Sequence, residues 1–178
     1  MLTFLTSEVV FFGALIVAFV EYRSRDTSGP GPHDLDIFRT AIFSVFLFAS
    51  SGTILLAERS IDRTDQRGFR IWWVATIALG VAFIIGQATE YLRLYADGVT
   101  ISTNLFTSSF FTLTGFHGLH VSAGLTALAV LAVLALFTHN FPSTGRGRTA
   151  VHAISIYWHF VDVVWLVVFS VVYLWAAL

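Results

Sequence analysis

Apolar residues run in five long blocks along this chain, each parted from the next by a short polar stretch. Between Arg70 and Glu90 stand 19 uncharged residues, 71–89, and between Arg39 and Glu58 another 18, 40–57. About 20 helical residues, rising roughly 1.5 Å each, cross a hydrocarbon core of about 30 Å. Residues 1–20 are apolar apart from Glu8, and residues 149–178 apart from His152, His159 and Asp162. No Asp, Glu, Lys or Arg occurs between Asp97 and Arg146, and residues 105–137 read as one helix. That helix is too long to cross without tilting or protruding. The pattern predicts an all-α polytopic membrane protein, a bundle of five transmembrane helices forming a single membrane domain over 1–178. The approximate spans are 1–22, 38–58, 69–94, 105–138 and 149–177.

The connections are short. Residues 24–36 contain SGPGPHD, where proline and glycine stop a helix from running through. Residues 58–70 (ERSIDRTDQRGFR) read as a charged loop, and residues 139–148 (HNFPSTGRGR) as a third connection. No repeat and no linker long enough to join a second domain is visible.

Composition sharpens the class. Of 178 residues, 56% are hydrophobic and 12% charged, against about 25% charged in soluble domains. A soluble globule of this size cannot hide so much apolar surface, and the same composition excludes disorder. The net charge of −1 leaves no basic footprint for nucleic acid. The absence of Cys removes disulfides, thiolate metal sites and iron–sulfur clusters. Met1 leads straight into apolar residues, so no cleaved signal peptide is expected. All ten basic residues are Arg. With the N-terminus cytoplasmic, the inside set is Arg59, Arg63, Arg67, Arg70, Arg146 and Arg148, against Arg23, Arg25, Arg39 and Arg93 outside. Six against four favours N-inside and C-outside.

Ionisable groups at membrane depth each need a reason, at roughly 2.5–3.5 kcal/mol apiece near a helix centre. Glu8 lies a third of the way along span one and reads either as a snorkelling interfacial side chain or as a buried acid, neutral or paired with a neighbour. Gln87 and Glu90 lie three apart and share a helix face, which Gly80 and Phe83 continue. Span four carries His117 and His120 among Gly115, Gly118 and Gly124, small residues that let another helix approach while the histidines hydrogen-bond across the contact. In span five, His152, Ser155, His159 and Asp162 form one polar stripe flanked by Trp158 and Trp165. That stripe must face protein or water rather than lipid.

Two readings compete for Glu8, Glu90, His117, His120, His159 and Asp162: a metal or di-metal site inside the bundle, or interhelical hydrogen bonding. A carboxylate-bridged di-iron bundle uses Glu-x-x-His pairs, and none occurs here. The HxxH of span four and the HxxD of span five permit a metal without diagnosing one. The residues by themselves favour hydrogen bonding and no metal, cofactor or catalytic residue.

Four strings carry a family resemblance: SEVVFF at 7–12, QATEY at 87–91, TGFHGLHV at 114–121 and YWHFVDVVWL at 157–166. In this order and spacing they resemble subunit III of the haem-copper cytochrome c oxidases, in its short five-helix bacterial form, over essentially the whole chain. The chain corresponds to the last five helices of the seven-helix fold. Many members have a Trp and a His in the first of these helices, where Val17 and Glu21 stand here.

The resemblance implies a non-redox accessory subunit of a respiratory terminal oxidase that reduces oxygen to water. Such a subunit carries no cofactor of its own; haem and copper belong to partner subunits. It packs beside catalytic subunit I and the rest of the complex, holds structural phospholipid, supports proton uptake and protects the catalytic subunit during turnover. Glu8 falls on the family's buried glutamate, and His117, His120, His159 and Asp162 fall on signature positions that the family uses for packing. A bacterial plasma membrane is the implied location, and a respiratory supercomplex a further partner. The alternatives are the corresponding subunit of a quinol oxidase or nitric oxide reductase complex, or an autonomous metal-dependent membrane protein.

Overall fold

The structure is a computed structural model that describes residues 2–25, 31, 35–137 and 144–175. Among them lie five helices: α1 (Leu2–Arg25), α2 (Ile37–Asp62), α3 (Gln66–Ala96), α4 (Leu105–Phe137) and α5 (Gly145–Phe169). A π-helical turn, Ser170–Leu174, prolongs α5. All five are long and apolar enough to cross a membrane.

Local chemistry sets the helix ends. Asp36, Asp65 and Thr144 stand at the N-caps of α2, α3 and α5 and accept from the backbone N–H of Arg39, Gly68 and Gly147. Asn104 Oδ1 accepts from Thr107 N at 2.8 Å ahead of α4. Each satisfies one of the donors that a helix leaves orphaned at its start.

The charged stretch 58–70, expected to be a loop, is mostly helix. Helix α2 runs to Asp62 and α3 starts at Gln66, so only residues 63–65 turn. Thr64 takes a left-handed conformation, φ 57°, while Asp65 N donates to Ser60 O at 2.8 Å to close the turn. The charges mark where the helices leave the membrane, not where they stop. Helix α5 likewise begins at Gly145, earlier than expected. Large parts of the other two expected connections, residues 26–30, 32–34 and 138–143, lie outside the described residues.

Helices α2 to α5 close into a ring, with α2 against α3, α3 against α4, α4 against α5 and α5 back against α2. Helix α1 stands outside it, packed on α4 and more lightly on α5. Lipid is as apolar as leucine, so close packing and hydrogen bonds must hold such helices together. The ring's core is aromatic. Trp165 meets Phe83 edge-on at 4.9 Å and stacks on His117 at 4.8 Å. Trp158 lies between two glycines: a Cβ on Gly80 or Gly124 would come within 2.9 Å of its indole. Helix α1 contributes Phe12 and Phe19, one helical face, against His120 at 4.9 Å and Phe106 at 5.7 Å. Outward-facing Val17, Leu92 and Leu119 are each more than 60% exposed, as a lipid-facing belt requires.

Candidate functional site

The polar residues singled out in the sequence are not drawn to one point. They settle into separate contacts, each joining two helices or a helix and a chain entry.

The first joins α1 to α4. Glu8 Oε2 lies 3.0 Å from His120 Nε2, both side chains less than a fifth exposed. His120 Nδ1 lies 2.8 Å from the Phe116 carbonyl, four residues back on its own helix. A carbonyl only accepts, so Nδ1 carries a proton. One further proton is then shared between Nε2 and the carboxylate, and the pair is neutral as a unit whichever atom holds it. That neutrality makes the acid tolerable at membrane depth. Tyr157 of α5 donates its hydroxyl to the His120 carbonyl at 3.1 Å and fixes the same turn.

The second joins α2 to α5. His159 Nδ1 lies 3.0 Å from Ser51 Oγ, and the Ser51 hydroxyl donates to Asp162 Oδ2. Trp158 Nε1 donates to Ser50 Oγ and Trp165 Nε1 to Ser44 Oγ, each at 2.8 Å. Those two serines also donate to Leu47 O and Thr40 O of their own helix. Each hydroxyl therefore spends its proton locally and offers a lone pair to the indole. Asp162 is 4% exposed and Ser155 1%. At the far end of the stripe His152, largely exposed, lies 3.2 Å from Glu58.

The third lies at the C-terminal end of α3. Glu90, 2% exposed, takes the guanidinium of Arg93 at 3.0 Å and accepts from Asp36 N at 3.1 Å. Glu90 thereby anchors the entry to α2. Gln87, one turn earlier, is buried on the same face, as are Gly80 and Phe83.

His117 differs from the expectation that both α4 histidines hydrogen-bond across the contact. It is 1% exposed, and neither ring nitrogen has a hydrogen-bond partner. Its ring instead stacks on Trp165. Aromatic walls from Phe12, Phe83 and Trp165 surround it, so no acceptor is within reach. Among the described residues no group of three or more His, Cys, Asp or Glu side chains lies close enough to hold a metal ion.

The sequence reading missed the α2 serines Ser44, Ser50 and Ser51, each of which bonds a side chain of α5. It also missed Thr53–Thr76 and Tyr91–Thr114, two 2.7 Å hydroxyl pairs that tie α3 to its neighbours.

Comparison with known proteins decides the family. Residues 1–177 match the family described as Cytochrome c oxidase subunit III. The chain belongs to that family. It is 36% identical over 174 residues to a probable cytochrome c oxidase subunit 3 of Mycobacterium tuberculosis, covering 97% of this chain and 84% of the relative. Identity to the cytochrome c oxidase subunit 3 of Corynebacterium diphtheriae is 37% over 176 residues, covering 97% and 84%. For that of Synechocystis it is 38% over 173 residues, covering 96% and 72%. A cytochrome c oxidase subunit III works within a complex of other oxidase subunits in the respiratory chain. Together with the five apolar helices, this fits a multi-pass protein of a bacterial plasma membrane.

Proposed function

We propose that this subunit III is the non-redox support of the oxidase. It packs beside catalytic subunit I, holds phospholipid, sustains proton uptake and delays inactivation of the catalytic subunit during turnover. The observation that carries this reading is the dispersal of the signature residues. Glu8 with His120, His117 with Trp165, and His159 with Asp162 and Ser51 occupy separate helix contacts. A site for redox chemistry would gather them, whereas dispersal suits a scaffold.

The neutral Glu8–His120 pair supports a proton-related role. The pair holds one proton between two atoms of a single α1–α4 contact. The proposed topology is N-inside and C-outside. Arg148 pairs with Asp62 at 3.2 Å, which gathers the α2–α3 turn and the start of α5 at one end of the bundle. Six of the ten Arg residues belong to the segments at that end.

The test is removal of this subunit from the oxidase. The remaining complex should start turnover at close to the normal rate and inactivate earlier during sustained oxygen reduction. A complex that lacks any initial rate would overturn the support role. A reporter that folds only in the cytoplasm, fused after Leu178, should stay inactive; activity there would overturn the topology.

A further inference from the structure

At the end of the bundle where α2 begins and α5 ends, we infer a binding site for one buried water molecule. Gln87 and Glu90 of α3 and Tyr173 of the π-helical turn hold it. All three side chains are more than nine-tenths buried. Gln87 Nε2, Glu90 Oε2 and Tyr173 Oη each lack a hydrogen-bond partner within the protein. Neither lipid nor an apolar core can supply one, and leaving a buried polar atom bare costs more than an ordinary hydrogen bond returns. Buried polar atoms are almost always paired, so three in one place point to a ligand.

The three converge. Gln87 and Glu90 lie three apart on the buried face of α3. The Tyr173 hydroxyl lies within electrostatic reach of both, and of Thr40 on α2, without a direct hydrogen bond to any of them. Polar groups that face one another in this way are what a bridging water completes. The tyrosine is held in place, since its ring stacks on Phe169 at 5.4 Å and meets Phe110 edge-on at 6.3 Å. Tyr173 also belongs to the π-helical turn Ser170–Leu174, which Trp175 N closes on Ser170 O at 2.9 Å. Single π turns are rare and collect at functional sites.

The atoms select the ligand. Gln87 Nε2 only donates, the Glu90 carboxylate, paired with Arg93, only accepts, and the Tyr173 hydroxyl can donate. One water takes the two donors on its lone pairs and gives an O–H to Glu90 Oε2. That makes three bonds, the usual number for a buried water. A metal cation would meet the amide N–H and, at Glu90 Oε1, the Arg93 guanidinium at 3.0 Å, both of which repel it. An anion would meet the Glu90 carboxylate. Glu90 Oε1 is already taken by Arg93 and by Asp36 N. With Oε2 on the water, the carboxylate bridges the entry to α2 and the last turn of the α5 arm.

The experiment uses the intact oxidase, in an electron cryo-microscopy map that resolves ordered waters elsewhere in this subunit. In wild type one peak should lie within about 3.2 Å of Gln87 Nε2, Glu90 Oε2 and Tyr173 Oη. It should vanish in Gln87→Met, which puts an apolar side chain of similar length in the same place. No peak in wild type, or direct bonds among the three side chains, would overturn the site. Melting of the assembled subunit gives a second readout. Tyr173→Phe and Gln87→Met should each lower the melting temperature. The double variant should fall by less than the two shifts summed, because either change already releases the water. Additive shifts would overturn the bridge. The melting temperature should also be the same in sodium, potassium and choline chloride; dependence on the cation would put a metal ion in place of the water and overturn the assignment.

Discussion

The indole N–H of Trp158 donates to the Ser50 hydroxyl at 2.8 Å, joining α5 to α2 across 108 residues of sequence. Trp158 is fully buried, with glycines of two other helices on its sides. A single side chain thereby sets the spacing of the four-helix ring. Interhelical hydrogen bonds in membranes are worth about 0.6 kcal/mol, rarely above about 1.7. A Ser50→Ala, Trp158→Phe double-mutant cycle should return a coupling in that range in thermal denaturation of the purified complex. Gly124→Ala should cost about 1–3 kcal/mol through overpacking, because the indole has no free space to move into. Zero coupling in the cycle would mean that the bond is incidental to the packing.

Glu8 and His120 should respond asymmetrically. Glu8→Gln keeps a donor against His120 Nε2 and the neutrality of the pair, and should melt close to wild type. Glu8→Ala strands one imidazole nitrogen, at about 1–3 kcal/mol. His120→Ala strands a carboxylate at membrane depth, where insertion scales give roughly 2.5–3.5 kcal/mol, and should be the worst of the three. The check is the order of melting temperatures for the assembled subunit. An equal loss for Glu8→Gln and His120→Ala would refute the shared-proton account.

Five apolar blocks in the sequence became five helices because block length against bilayer thickness is a sharp measure. The 58–70 stretch misled for a related reason. In a membrane protein a run of charge marks the water boundary, and Glu58, Arg59 and Asp62 simply continue α2 beyond it. The stripe on α5 was legible because His and Asp are costly in lipid and so stand out. Its partners on α2 were not, since a serine bonded to its own helix backbone is nearly neutral in a span. Nothing in the pattern showed that Ser44 and Ser50 would each lend a lone pair to a tryptophan. Similarly, His117 and His120 look alike in TGFHGLHV, yet the three-residue step from one to the other turns one ring onto Trp165 and the other onto Glu8.

Thr64 offers a gain in stability. A β-branched residue in the left-handed region strains against its own backbone, at roughly 1–2 kcal/mol for an L-residue, and Thr64 holds φ 57°. Asn tolerates that conformation, so Thr64→Asn should raise the melting temperature of the subunit, and Thr64→Val should lower it. The turn lies beyond the membrane-buried contacts, so neither change should alter assembly. If Asn and Val move the melting temperature in the same direction, backbone strain is not what limits the turn.

His159 and Asp162 give the sharpest test of scaffold against proton carrier. Both close on Ser51, and Asp162 Oδ2 accepts the hydrogen bond of the serine hydroxyl. Asp162→Asn retains a carbonyl oxygen for Ser51 and should weaken the α2–α5 contact only slightly. Asp162→Ala leaves the serine donor without its acceptor in a buried place, a loss of about 1–3 kcal/mol. The alanine variant should therefore shed part of the subunit during detergent purification, and the oxidase should inactivate earlier in sustained turnover. Its initial rate should stay near normal, because neither side chain passes protons in the scaffold reading. Ser51→Ala should reproduce a milder form of the same behaviour, since it removes the bridge but no charge. If Asp162→Asn instead abolishes the initial rate while the subunit remains bound, Asp162 takes part in proton delivery, and the scaffold reading of α5 fails at its most informative residue.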